Sequence, residues 1–158
     1  MARAKNNLWN RYKYKINGVV ILLAGYFLYT TLFPQFPDTW AAKKVGQFEV
    51  TPMPYNLDAP YFHDGVYTKD FFLMFNEGDV NSIKQAYLTI GEKALPLETL
   101  AAEDHGILHG SEHGQEVHGL APKELTSNHR VWLTIQTWQG EILLTSWPLP
   151  QSLLSNSY

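Results

Sequence analysis

What this chain can fold into is constrained first by Ile16 to Phe33, INGVVILLAGYFLYTTLF, eighteen consecutive residues without a charge. At about 1.5 Å of rise per residue, a helix of that length covers roughly 27 Å, close to the apolar thickness of a bilayer. Trp9, Tyr12 and Tyr14 stand just before it, aromatic side chains of the kind that settle among lipid headgroups. A cleaved secretory signal would have a shorter apolar core with a small-residue cleavage site close behind. Here Pro34, Gln35, Phe36 and Pro37 follow instead. The segment therefore reads as an uncleaved transmembrane helix over 16–33, ended by prolines that lack a backbone donor.

The formal net charge of -3 divides at that segment. Residues 1–37 hold Arg3, Lys5, Arg11, Lys13 and Lys15 and no acid, a balance of +5. Residues 38–158 hold all 15 Asp and Glu against the remaining seven bases, a balance of -8. By the positive-inside bias the basic end stays in the cytoplasm, which puts the acidic body outside a bacterial inner membrane, in the periplasm. An acidic body repels phosphate, so no nucleic-acid partner is expected; membrane lipid is. The chain has no cysteine, which removes disulfides, thiolate zinc sites and iron–sulfur clusters from consideration.

Residues 1–15 then form a basic tail, 16–33 the span, 34–46 a linker, 47–150 a periplasmic domain and 151–158 a C-terminal tail. Within the linker, DTWAAKKVG (38–46) allows a short interfacial helical turn, capped by Asp38, ended by Gly46 and with Trp40 at headgroup level; an ordinary linker is the alternative. From Gln47 the chain breaks into short β-type runs: 47–52, 67–76, 83–90, 94–98, 130–138 and 141–147. In the last pair Val131, Leu133 and Ile135 alternate with Trp132, Thr134 and Gln136 before Gln139-Gly140 turns the chain back, a hairpin pattern. Phe71–Phe75 is apolar on both faces, as in a central strand. Short strands with no long amphipathic helix after the span predict a mainly β protein: a single N-terminal transmembrane helix followed by a small antiparallel immunoglobulin-like β-sandwich, with a partly open barrel as the alternative.

The stretch 99–128 reads as a long His/Gly-rich loop, and long irregular segments in compact domains usually have a purpose. In DHGILHGSEHGQEVHG the histidines His105, His109, His113 and His118 are each followed by glycine. Glycine at those positions disfavours a helix and favours turns. Such a loop can gather imidazoles around copper or zinc, with Asp104, Glu112 and Glu116 as further ligands or tautomer-fixing acceptors. Met53 and Met74 offer thioethers for copper(I), although Met74 reads as core. The alternatives are a ligand-free polar loop or a proton-sensing one. His63 in YFHDG and His129 beside Arg130 read as structural.

Nothing suggests an enzyme. HExxH is absent, His113-Gly-Gln-Glu116-Val-His118 has one residue too many for HxxEH, and no GxSxG, GxGxxG or phosphate loop occurs. Glu77 and Asp79 flank Gly78 in NEGD, a turn composition before an acid–base pair. Trp132, Trp138 and Trp147, with Trp40, are candidates for an aromatic docking interface, with core packing as the alternative.

The span Ile16–Phe33, the run YFHDGVYTKDFFLMFN and the strand WLTIQTW give the chain a layout that resembles the FixH-like and YtkA-like membrane-anchored proteins. In those, one N-terminal span carries a small extracytoplasmic β-sandwich associated with copper delivery or cytochrome oxidase assembly. The resemblance covers most of the chain in layout and implies no metal ligands here, because the His-Gly loop departs from that pattern. Two functions follow as expectations. The first is a non-catalytic single-pass accessory subunit of an inner-membrane respiratory or photosynthetic complex, docking its β-domain on a partner. The alternative is a membrane-anchored periplasmic copper- or zinc-binding protein or metallochaperone using His105, His109, His113 and His118.

Overall fold

The computed structural model describes residues 8–103, 105–111 and 114–154. It divides into two units, Met1–Gln35 and Phe36–Tyr158. The first contains α1, Leu8–Leu32, within which Arg11–Leu32 is long and apolar enough to cross a membrane and has no buried share. The helix starts earlier than the uncharged run. Arg11, Lys13 and Lys15 lie inside it, their cations 5.1–5.8 Å from the ring centres of Tyr12 or Tyr14, an arrangement that shields charge next to apolar surface.

The second unit is β-rich, as expected. Among the described residues it has nine strands: β1 (Lys43–Val45), β2 (Phe48–Pro54), β3 (Tyr61–His63), β4 (Val66–Glu77), β5 (Ile83–Gly91), β6 (His109–Ser111), β7 (Gly114–Leu120), β8 (Arg130–Thr137) and β9 (Ile142–Pro148). They join into one hydrogen-bonded path, β1-β2-β4-β7-β5-β8-β9, with β3 on β4 and β6 on β7. The pairing is antiparallel except for β5 with β7, which are parallel and meet at a single pair, Thr89 and Leu120. The two ends of the path approach each other: the Lys43 ammonium donates to Ser146 O at 2.6 Å and Trp147 Nε1–H to Ala41 O at 2.8 Å. The result is a nearly closed, barrel-like sheet.

Alternation does the building. In β4 the side chains of Phe71 and Leu73 are fully buried while Asp70, Phe72 and Met74 keep some exposure, so successive residues serve opposite faces. The core gathers Phe48, Val50, Phe71, Leu73, Leu88, Val117, Val131, Leu133, Ile135 and Trp147. Burying one such side chain stabilises the fold by about 1.5–3 kcal/mol. The β8–β9 hairpin forms as its alternation predicts, and β4 is interior to the sheet.

Four expectations need correction. Residues 94–98 are not a strand: α2 (Leu97–Glu103) occupies this region, its first turn closed by Thr99 and Leu100 N–H groups donating to Pro96 O. The stretch 99–128 is not one irregular loop, since it holds most of α2 and the β6–β7 hairpin. The helical turn in 38–46 is replaced by β1, and Gly46, with φ 57°, turns the chain into β2. Met74 is not core; with Met53 and Phe72 it lines an open groove on the outer face.

Candidate functional site

The outer face of β3, β4, β7 and β6 collects the imidazoles. β3 and β4 form a hairpin through Asp64 and Gly65, both at positive φ (47° and 89°), the backbone that a two-residue Asp-Gly turn adopts. That turn sets Tyr61 opposite Thr68 and His63 opposite Val66. On the other side of β4, Asp70 faces His118 of β7, and beyond β7, His109 of β6 faces Glu116. Period-two alternation then brings His63, His118 and His109 to one surface in a row. Ring centres are 5.9 Å apart between His63 and His118 and again between His118 and His109.

The middle ring is anchored. His118 Nδ1 lies 2.7 Å from Asp70 Oδ1, and the Tyr61 hydroxyl donates to the same carboxylate at 2.9 and 3.0 Å. Asp70 is thereby held from two sides, and His118 keeps Nε2 for another partner. Burial pushes the Tyr61 phenol above its ordinary value; the nearby Thr68 hydroxyl pulls the other way, and the Asp70 carboxylate adds to the rise. Thr68 Oγ1 itself is buried without a hydrogen bond of normal geometry. It lines, with His63, Asp64, His105, His109 and His118, a pocket of about 140 Å³.

Three of the four expected ligands therefore meet at this pocket: His105, His109 and His118. His113 lies outside the described residues, as do Asp104 and Glu112. Glu116 shares the Met53–Phe72–Met74 groove with His109. The residue that sequence reasoning passed over is His63, read as structural yet part of the row. Its signal was the Asp64-Gly65 turn, which fixes the hairpin register, together with Thr68 and Asp70 as polar positions on the outward face of β4. His129 is structural, its Nδ1 accepting from Thr126 N–H at 3.1 Å. Among the described residues, no group of three or more His, Asp or Glu side chains is drawn together tightly enough to hold an ion as it stands.

Three of the four glycines after the histidines, Gly106, Gly110 and Gly119, have a packing reason. Gly106 sits at φ 74°, and a Cβ there would come within 2.6 Å of Leu88 O, whose own N–H donates to Gly106 O at 2.8 Å. At Gly110 a Cβ would run into Gly114 O across the β6–β7 turn. Backbone approaches of this kind admit no side chain.

Of the tryptophans, Trp147 is buried and Trp40 stacks edge-on to Phe71 at 5.4 Å, so both take the core-packing alternative. Trp132 is half-buried and donates through Nε1–H to Gly91 O at 3.1 Å. Trp138, just past the end of β8, is open to solvent at 65%, and on β9 Ile142 (54%) and Leu144 (50%), two residues apart on one face, are exposed too. Together these give the β8–β9 hairpin an exposed apolar stripe.

Residues 8–150 match one family model, described as Uncharacterised conserved protein UCP029505. No curated protein and no solved structure matches the chain significantly.

Proposed function

The chain belongs to the family Uncharacterised conserved protein UCP029505, a description that names no activity, and from its site we propose that it is a membrane-anchored, non-catalytic metal-binding protein that takes copper or zinc. The observation that carries this reading is the row of three imidazoles whose central member is backed by a carboxylate. Imidazoles suit copper and zinc, and a carboxylate on the far nitrogen orients a histidine toward an ion. In this reading the basic N-terminal end lies in the cytoplasm, α1 crosses a bacterial inner membrane and the β-domain works in the periplasm. The resemblance to FixH-like and YtkA-like proteins belongs to the same proposal. So does an immunoglobulin-like sandwich as the finer fold description, supported by the thin β5–β7 link between two strand groups that share one core.

The test is calorimetry of the full chain in detergent with copper(II) and with zinc(II). We expect micromolar or tighter binding, lost when His105, His109, His113 and His118 are all changed to alanine. No heat with either ion sinks the reading.

A second reading, an accessory subunit of a larger inner-membrane complex, is favoured by the Trp138–Ile142–Leu144 stripe. Exposed apolar groups in a row mark surfaces that partners cover.

A further inference from the structure

Resting on the metal-binding reading above, the geometry points to a ligand set that the His-Gly segment does not supply alone: His63 of β3, His118 of β7 and His109 of β6, holding copper(II) in preference to zinc. The spacing permits it. An imidazole nitrogen binds copper or zinc at about 2.0–2.1 Å and its ring centre lies roughly 1.1 Å further back, so two rings on one ion can have centres up to about 6.4 Å apart. Both neighbouring pairs in the row stand at 5.9 Å. Binding all three then needs the exposed side chains of His63 and His109 to rotate inward from the two ends of the row.

Each ring is prepared differently. His118 binds through Nε2, because Asp70 occupies Nδ1 and Tyr61 keeps Asp70 in place. His63 Nε2 is 3.4 Å from Asp64 Oδ2, an exposed pair of a kind that contributes little to stability and yields readily to an ion. His109 Nδ1 lies 3.4 Å from Ile107 O, a contact that does not engage its Nε2. Thr68 Oγ1, buried at the same pocket and lacking a hydrogen bond of normal geometry, supplies a polar partner for a water on the ion. Nitrogen ligands and the general order of divalent affinities favour copper(II) over zinc. Because the ligands come from β3, β7 and β6, the ion would clip the β3–β4 hairpin to the β6–β7 hairpin.

The experiment titrates copper(II) into the full chain in detergent and reads both affinity and the nitrogen splitting in the electron paramagnetic resonance spectrum. The wild type should show three equatorial nitrogens. His63→Ala should lose one and weaken binding about tenfold or more, and Asp70→Asn should weaken it about 10–100-fold through His118 orientation. His63 lies in an exposed strand, so its replacement should leave the thermal unfolding of the apo chain unchanged, and that melt serves as the folding control. Copper uptake by His63→Ala with wild-type affinity and an unchanged spectrum overturns this ligand set while leaving the metal-binding reading standing. No copper(II) uptake by the wild type overturns this ligand set, and the metal-binding reading falls with it only when zinc(II) is not taken up either.

Discussion

Lys69 lies on the core-facing side of β4, beside Phe71 and Leu73 in the alternation, and its side chain is buried. Its ammonium is satisfied by Asn56 Oδ1 and by Asp58 O at 2.7 Å. Burial lowers its pKa from the ordinary 10.5, and the carboxylates of Asp58 and Asp70 only partly restore it. A base whose folded value is depressed sheds its proton from the folded state first. The cost of burying the cation is therefore fully present at neutral pH, and stability rises as pH climbs through the folded value toward 10.5. Tyr61 works in the opposite sense. Its folded value is raised, so its contribution is full below its ordinary 10.0 and is lost above it. Thermal melts from neutral pH to about 10 should therefore show an alkaline rise in the wild type that Lys69→Met lacks. The slope cannot exceed about 1.4 kcal/mol per pH unit, the limit for one proton. Equal slopes in both proteins would contradict the buried-lysine account.

The β3–β4 hairpin shows how an element brings a residue into a site. Asp64-Gly65 sits between two extended runs, and Asp-Gly is among the strongest short hairpin signals a sequence carries. Gly65 has φ 89° with nothing within 4 Å of a built Cβ, so its substitution meets no steric obstacle and only a backbone one. Gly65→Ala should cost about 1–2 kcal/mol, the left-handed penalty for an L-residue, measured by chemical denaturation. A neutral result would mean that the turn readily adopts another backbone. The same register places His63 in the imidazole row. It was legible only by pairing the two strands first, which is why a reading confined to the cluster at residues 105–118 passed His63 by. The β6–β7 hairpin was harder to see. Its glycines resemble loop composition, and at Gly119 the cause is the close approach of the Leu88 side chain and of Lys69 O, from strands distant in sequence.

At the scale of the whole molecule, the charge division predicts topology and the apolar stripe predicts company. A reporter enzyme active only in the periplasm, fused after the β-domain, should be active, and one fused before α1 should be silent; the reverse pattern would refute the orientation. Extracted in mild detergent, the protein should co-migrate with a much larger assembly if the accessory reading holds, and Trp138→Ser with Leu144→Ser should release it. Migration of the wild type alone would exclude that reading.

Hydropathy along a continuous run and strict alternation are local properties. From them the sequence by itself determined that α1 is long and apolar enough to span a membrane, that the rest is mainly β, and that β8 and β9 form a hairpin. Which strands lie side by side depends on burial shared among residues far apart in the chain. Only the tertiary structure therefore decided that Trp147 is core and Trp138 surface, that Met74 faces outward, and that His63, Asp70, His109 and His118 stand together on one face of the sheet.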